Sequence, residues 1–169
     1  MTKFIAIILL SALTLTVHGQ TDLSSWEGQW RGKLAIYQSS GLMQELPMGL
    51  NIIEQGDHWK WQIIYNEGEK QDFRDYSLMP TDSPNQFTLD EHNGIVLRLS
   101  LLDNVFHSVF EMNQMILIVS YSLIGDQITF RTQFSPAEDI ITSGGQNDAT
   151  PEVKARKTTT YQIAYLKKS

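Results

Sequence analysis

Residues 105–134 read VFHSVFEM, NQ, MILIVSYSLI, GD, QITFRTQF. Three apolar runs, Val105–Met112, Met115–Leu123 and Gln127–Phe134, are interrupted by Asn113-Gln114 and Gly125-Asp126. Asn, Asp and Gly tolerate the positive φ that tight hairpins demand. A two-residue link joins only antiparallel neighbours, because a parallel crossover needs a dozen or more residues. This stretch therefore predicts three consecutive antiparallel strands, and the rest of the chain repeats the pattern.

Working outward, Gly56-Asp57, Asn93-Gly94 and Asp103-Asn104 interrupt further apolar runs. Trp30, Gly32, Leu34 and Ile36 alternate with Arg31, Lys33, Ala35 and Tyr37. Met48, Leu50 and Ile52 alternate with Gly49, Asn51 and Ile53. Trp59, Trp61, Ile63 and Tyr65 alternate with Lys60, Gln62, Ile64 and Asn66. A period of two marks strands with one buried face. Further runs are Asp72–Leu78, Gln86–Glu91, Ile95–Leu102 and Thr158–Lys167. The pattern predicts an all-β fold of about ten strands. A meander of that length leaves two costly edges unless it closes, so a single up-and-down antiparallel barrel is expected. Residues 135–157 lack alternation. Ser135-Pro136-Ala137-Glu138-Asp139 has the N-cap, first-turn Pro and acids of a helix start. One or two helical turns followed by a long mobile loop are expected there.

Lys3, the apolar run Phe4–Val17 and Val17-His18-Gly19 have the layout of a cleaved signal peptide. The apolar core is shorter than the roughly 20 residues of a membrane span. Residues 1–19 are read as that peptide, 20–27 as a lead-in, and 28–169 as the barrel domain. Cleavage after Gly19 would place the protein in a secreted or periplasmic compartment, without stable membrane insertion. The formal charge is −6, becoming −7 on loss of Lys3. A net acidic chain with scattered basic residues is a poor partner for nucleic acid. The chain has no Cys. No disulfide or thiol chemistry is therefore available, and stability must come from burial. A monomer is expected.

Gly28-Gln29-Trp30, opening the first strand of a β meander, resembles the calycin superfamily of lipocalins, fatty-acid-binding proteins, avidins and nitrobindin-like barrels. The resemblance implies that Gly28 and Trp30 help close one end of the barrel, with a basic residue late in the last strand over the Trp30 face. Lys167, in phase with Tyr161, Ile163 and Tyr165, is expected in that role, where the superfamily more often carries Arg. Ten strands favour the fatty-acid-binding or nitrobindin type over the eight of lipocalins and avidins.

Motifs for chemistry are sparse. His58 and His92 flank turns, and His107 is expected to point outward, opposite Phe106, Ser108 and Phe110. No His-Glu-x-x-His, nucleophile elbow or phosphate-binding glycine loop occurs. Asp90 and Glu91 should diverge, since adjacent strand residues face opposite sides. No enzyme activity, metal site or cofactor is expected on these grounds. Trp59, Trp61, Ile63 and Tyr65 share one face; they are either packed core or the wall of an apolar cavity. Tyr65 and Tyr76 are the expected orienting groups for a polar head. Arg74 is a further candidate, whereas Arg98 and Arg131 are expected outside. The sequence thus favours a barrel binding a small apolar or amphipathic molecule. The alternative is a filled barrel acting through its surface as an interaction or inhibitor module.

Export predicts that the intact mass of the secreted protein matches residues 20–169. A mature mass that retains residues 1–19 would overturn this reading.

Overall fold

The computed structural model describes residues 22–169. The signal peptide expected at 1–19, its cleavage point and Gln20 lie outside the described residues. The strands are β1 (Gly28–Gln38), β2 (Gly41–Glu54), β3 (Trp59–Tyr65), β4 (Asp72–Pro80), β5 (Gln86–Asp90) and β6 (Val96–Leu102). They continue with β7 (Val105–Met112), β8 (Met115–Ile124), β9 (Gln127–Pro136), β10 (Ile140–Ser143), β11 (Val153–Arg156) and β12 (Thr160–Lys168). β1 to β9 form an antiparallel meander, and β12 pairs with both β9 and β1 to close a barrel of ten strands. One 3₁₀ turn, Gly68–Lys70, is the only helical element among the described residues.

Asp103-Asn104 and Asn113-Gln114 have positive φ at both positions. They lie between the facing pairs Leu102↔Val105 and Met112↔Met115. That is the backbone a twisted two-residue hairpin requires, and it fixes the register of β6, β7 and β8. Outside the barrel, a polar ladder crosses the first four strands. Arg31 donates to Asn51, Asn51 to Gln62, and Gln62 to Asp75, at 2.7, 2.6 and 2.7 Å. Lys60 pairs with Asp75 at 2.9 Å and, as the largest influence, holds its carboxyl below the usual range. This ladder faces away from Trp59, Trp61 and Ile63, which are buried inside.

One end of the barrel is filled. The residues before β1 form a turn in which the Trp26 N–H donates to the Leu23 carbonyl at 2.8 Å. Leu23 and Trp26 are each only 1% exposed, so these two side chains of the segment expected as a lead-in form a buried plug. The Trp26 carbonyl accepts from the Trp30 indole N–H at 2.8 Å, which ties the plug to β1. Trp26 meets Phe106 edge-on at 4.9 Å between centroids and lies 6.2 Å from Trp61.

The cation over the Trp30 face is Lys168, not Lys167. Its ammonium lies 5.3 Å from the ring centroid, and Lys168 faces Trp30 across the β1–β12 seam. Gly28, at φ +130°, makes room for it, because a Cβ there would lie 2.6 Å from the Lys168 Cε. The inward phase of β12 is Gln162, Ala164, Leu166 and Lys168, so Lys167 points outward with Tyr165. Tyr161 shares that outward phase with Lys167, its ring 6.4 Å from the outward Tyr37.

The helix expected at Ser135–Asp139 is also absent. Ser135 and Pro136 prolong β9 by pairing with Ile116 and Met115. The cap-like local sequence loses to a sheet edge that is already in place. Beyond it, β10 and β11 form a two-stranded hairpin outside the barrel. Arg156 donates to the Ala137 carbonyl at 3.0 Å, and Lys157 pairs with Asp139 at 2.6 Å. The span between β9 and β12 therefore carries its own paired strands.

Trp30→Ala should cost about 3–5 kcal/mol, the scale for large aromatic truncations in a core. Lys168→Ala should cost about 1 kcal/mol as a lost cation–π contact, and Lys167→Ala less than about 0.5 kcal/mol as an ordinary surface change. Urea unfolding midpoints of the three variants check the order; a larger loss at Lys167 than at Lys168 would contradict the seam described.

Candidate functional site

Above the aromatic plug the interior is not filled. A cavity of about 260 Å³ opens to solvent at the far end of the barrel. Its wall comes from the inward faces of eight strands and the residue after β5. These include Ile63 and Tyr65 of β3, Tyr76 of β4, Leu89 of β5, and Leu97 and Leu99 of β6. Phe106, Ser108 and Phe110 of β7, Leu117, Val119 and Tyr121 of β8, and Phe130 and Thr132 of β9 complete most of it. Gln162 comes from β12 and Glu91 from the turn after β5. The strand residues are placed by the two-residue period of their strands.

An aromatic chain separates plug from cavity. Phe106 is met edge-on by Trp61 at 5.5 Å and by Phe87 at 5.2 Å. Trp61 meets Tyr121 at 5.1 Å, and Tyr121 lies 5.0 Å from Phe130. Such edge-to-face pairs add about 0.5–1.5 kcal/mol each beyond burial. They form the floor of the cavity. Trp59 and Trp61, expected in the ligand wall, lie in or behind this floor and do not line the cavity. Trp59 packs on Phe87 at 6.4 Å. The indole N–H groups of Trp59 and Trp61 are buried without an acceptor of good geometry, although Trp61 sits close enough to the Tyr121 hydroxyl to interact with it. Ile63, Tyr65 and Tyr76 do line the cavity.

The polar groups of the cavity are unevenly placed. Tyr65, Tyr76, Tyr121 and Glu91 all line the cavity, and the Glu91 charge adds to the rise of the Tyr76 and Tyr121 phenols. Burial pushes the Tyr65 phenol up to about 12, with Tyr76 adding to the effect. Burial likewise raises Tyr121 and, less deeply set, Tyr76. All three are thus neutral hydroxyls at physiological pH. Glu91 accepts from the Asn93 amide at 3.2 Å through one carboxylate oxygen. Arg74, expected as an orienting group, is exposed at the rim. Its Nε and Nη2 donate to one oxygen of Asp72 at 3.1 and 2.8 Å. Arg98 and His107 are exposed, and Arg131 shares their outward phase. No Lys, Arg or His lines the cavity.

Glu91 turns into the cavity wall, away from Asp90 and His92, as alternation requires. Asp90 accepts from the His92 backbone N–H at 2.8 Å, and the His92 ring contacts the Ser77 hydroxyl at 3.1 Å. Among the described residues no group of three or more His, Asp or Glu is placed to hold a metal ion. Glu91 continues the inward phase of Phe87 and Leu89; that phase was the available signal for it. Trp26 carried no such signal, because a turn has no period.

No protein-family model matches this chain. No curated protein matches it. Among solved structures, the S-type phycobiliprotein lyase CPES of Guillardia theta is similar in fold. The TM-score is 0.55 and the identity 9%, over 85% of this chain and 88% of that one. The shared architecture and the ten-stranded antiparallel barrel fit a calycin-type fold. This finding corrects the expectation that the chain is not an enzyme. A lyase uses a barrel of this kind, so missing hydrolase, thiol and metal motifs do not exclude catalysis on it.

Proposed function

We propose that this protein is exported and binds one small, largely apolar molecule inside its barrel. The observation that carries the reading is the cavity itself: about 260 Å³, open at one end, walled by aliphatic and aromatic side chains. Small-molecule sites are concave and mostly apolar, with a few convergent polar groups. Typical sites span about 300–1,000 Å³, so the enclosed part of the occupant is compact. Burial gains roughly 25 cal/mol per Å² of apolar surface, enough for affinity near the micromolar range. Binding of this kind serves a carrier or a catalyst equally well. The barrel resembles the fatty-acid-binding and nitrobindin type in its strand number. The similarity to a phycobiliprotein lyase supports the same reading, in that its fold also serves a protein acting on another molecule.

The test uses a neutral bicyclic probe, 2-(1-naphthyl)ethanol, in calorimetric titration. One saturable site with Kd in the micromolar range is expected. Val119→Phe, which fills the cavity from β8, should weaken it at least about tenfold, with a thermal melt checking that the variant folds. Absence of saturable binding to the unaltered protein, or equal binding to a folded Val119→Phe variant, would favour action through the outer surface instead.

A further inference from the structure

We infer that the occupant carries a protonated amine on its compact apolar body, seated by the Glu91 carboxylate among the Tyr65, Tyr76 and Tyr121 phenols. The inference rests on the cavity being the binding site. It begins from a charge asymmetry. Glu91 is the one charged side chain among the cavity-lining residues, and it is an acid. An anionic head would enter beside an uncompensated carboxylate, with no Lys, Arg or His in the wall to receive it. Arg74 does not supply that charge, because both of its donating nitrogens are turned onto Asp72.

An ammonium meets the opposite situation. One carboxylate oxygen of Glu91 is engaged by Asn93. The other can accept a charge-assisted hydrogen bond, about twice as strong as a neutral one. Neutral tyrosine hydroxyls add acceptor lone pairs, and phenol rings attract a cation over their faces. The hydroxyls of Tyr65 and Tyr76 donate to and accept from no described residue, so an arriving N–H breaks no existing bond there. The aliphatic wall of Leu89, Leu97, Leu117 and Val119 then takes the apolar body.

The experiment compares three compounds with one apolar body: 2-(1-naphthyl)ethylamine, 2-(1-naphthyl)ethanol and 1-naphthylacetate. Calorimetric titration at neutral pH and low salt should rank the amine first and the carboxylate last, separated by at least about tenfold in Kd. Glu91→Gln keeps the side chain's shape and removes its charge. It should bring the amine and carboxylate to within roughly threefold of each other, in a variant whose thermal melt shows it folded. Carboxylate binding as tight as amine binding would overturn the inference while leaving the cavity as a binding site. An undiminished amine preference in folded Glu91→Gln would overturn it too. Failure of all three compounds would overturn the inference together with the binding reading.

Discussion

The structure depends on how a ten-stranded barrel deals with its own interior. Closure removes the sheet edges, but it encloses more space than side chains projecting inward from the strands need to fill. This chain closes one end with residues that are not part of the barrel wall. Leu23 and Trp26 fold under β1 and are buried. Trp26 then meets Phe106 and Trp61, and through them Phe87 and Tyr121. The cavity lies on one side of that aromatic floor and the buried plug on the other. The candidate site is therefore a by-product of where the plug stops.

The seam between β1 and β12 supports the same division. Lys168 covers Trp30, whose indole N–H is held by the Trp26 carbonyl. Closure and plugging thus share one residue, Trp30. At the opposite end the wall is looser. Direct pairing of β6 with β7 runs only from Ser100↔His107 to Leu102↔Val105. Beyond it, Ser108 reaches across to the Arg98 carbonyl at 2.8 Å. A side-chain hydroxyl replaces a backbone ladder next to the cavity, and this buried polar group is satisfied as burial requires.

The strands and their hairpins were legible in the sequence because alternation and turn residues are local signals. Val105 to Phe134 carries both, and the structure follows it closely. The phase of β12 was misread because Tyr161 and Tyr165 are large and look like core, whereas Gln162 and Ala164 do not. In fact Ala164 is fully buried and Tyr165 is 55% exposed. In a strand with apolar residues on both faces, only the partner strand decides which face is inside. Ser135–Asp139 was misread for the complementary reason, since local capping chemistry says nothing about a neighbouring strand waiting to be paired. The cavity was half legible. Ile63, Tyr65 and Tyr76 follow from phase, but the height of the floor depends on Trp26, and no sequence period places it. The shared fold with a lyase adds that this architecture alone does not divide carriers from catalysts.

The central claim is that the interior is divided into a filled floor and an open cavity. Methyl-resolved NMR with indole as a small apolar probe tests it most directly. The account predicts saturable shifts at Ile63, Leu89, Leu97, Leu117 and Val119, and none at Leu23, Ile52 or Leu166. Shifts centred on the plug residues, or no saturable shift at any interior methyl, would contradict it.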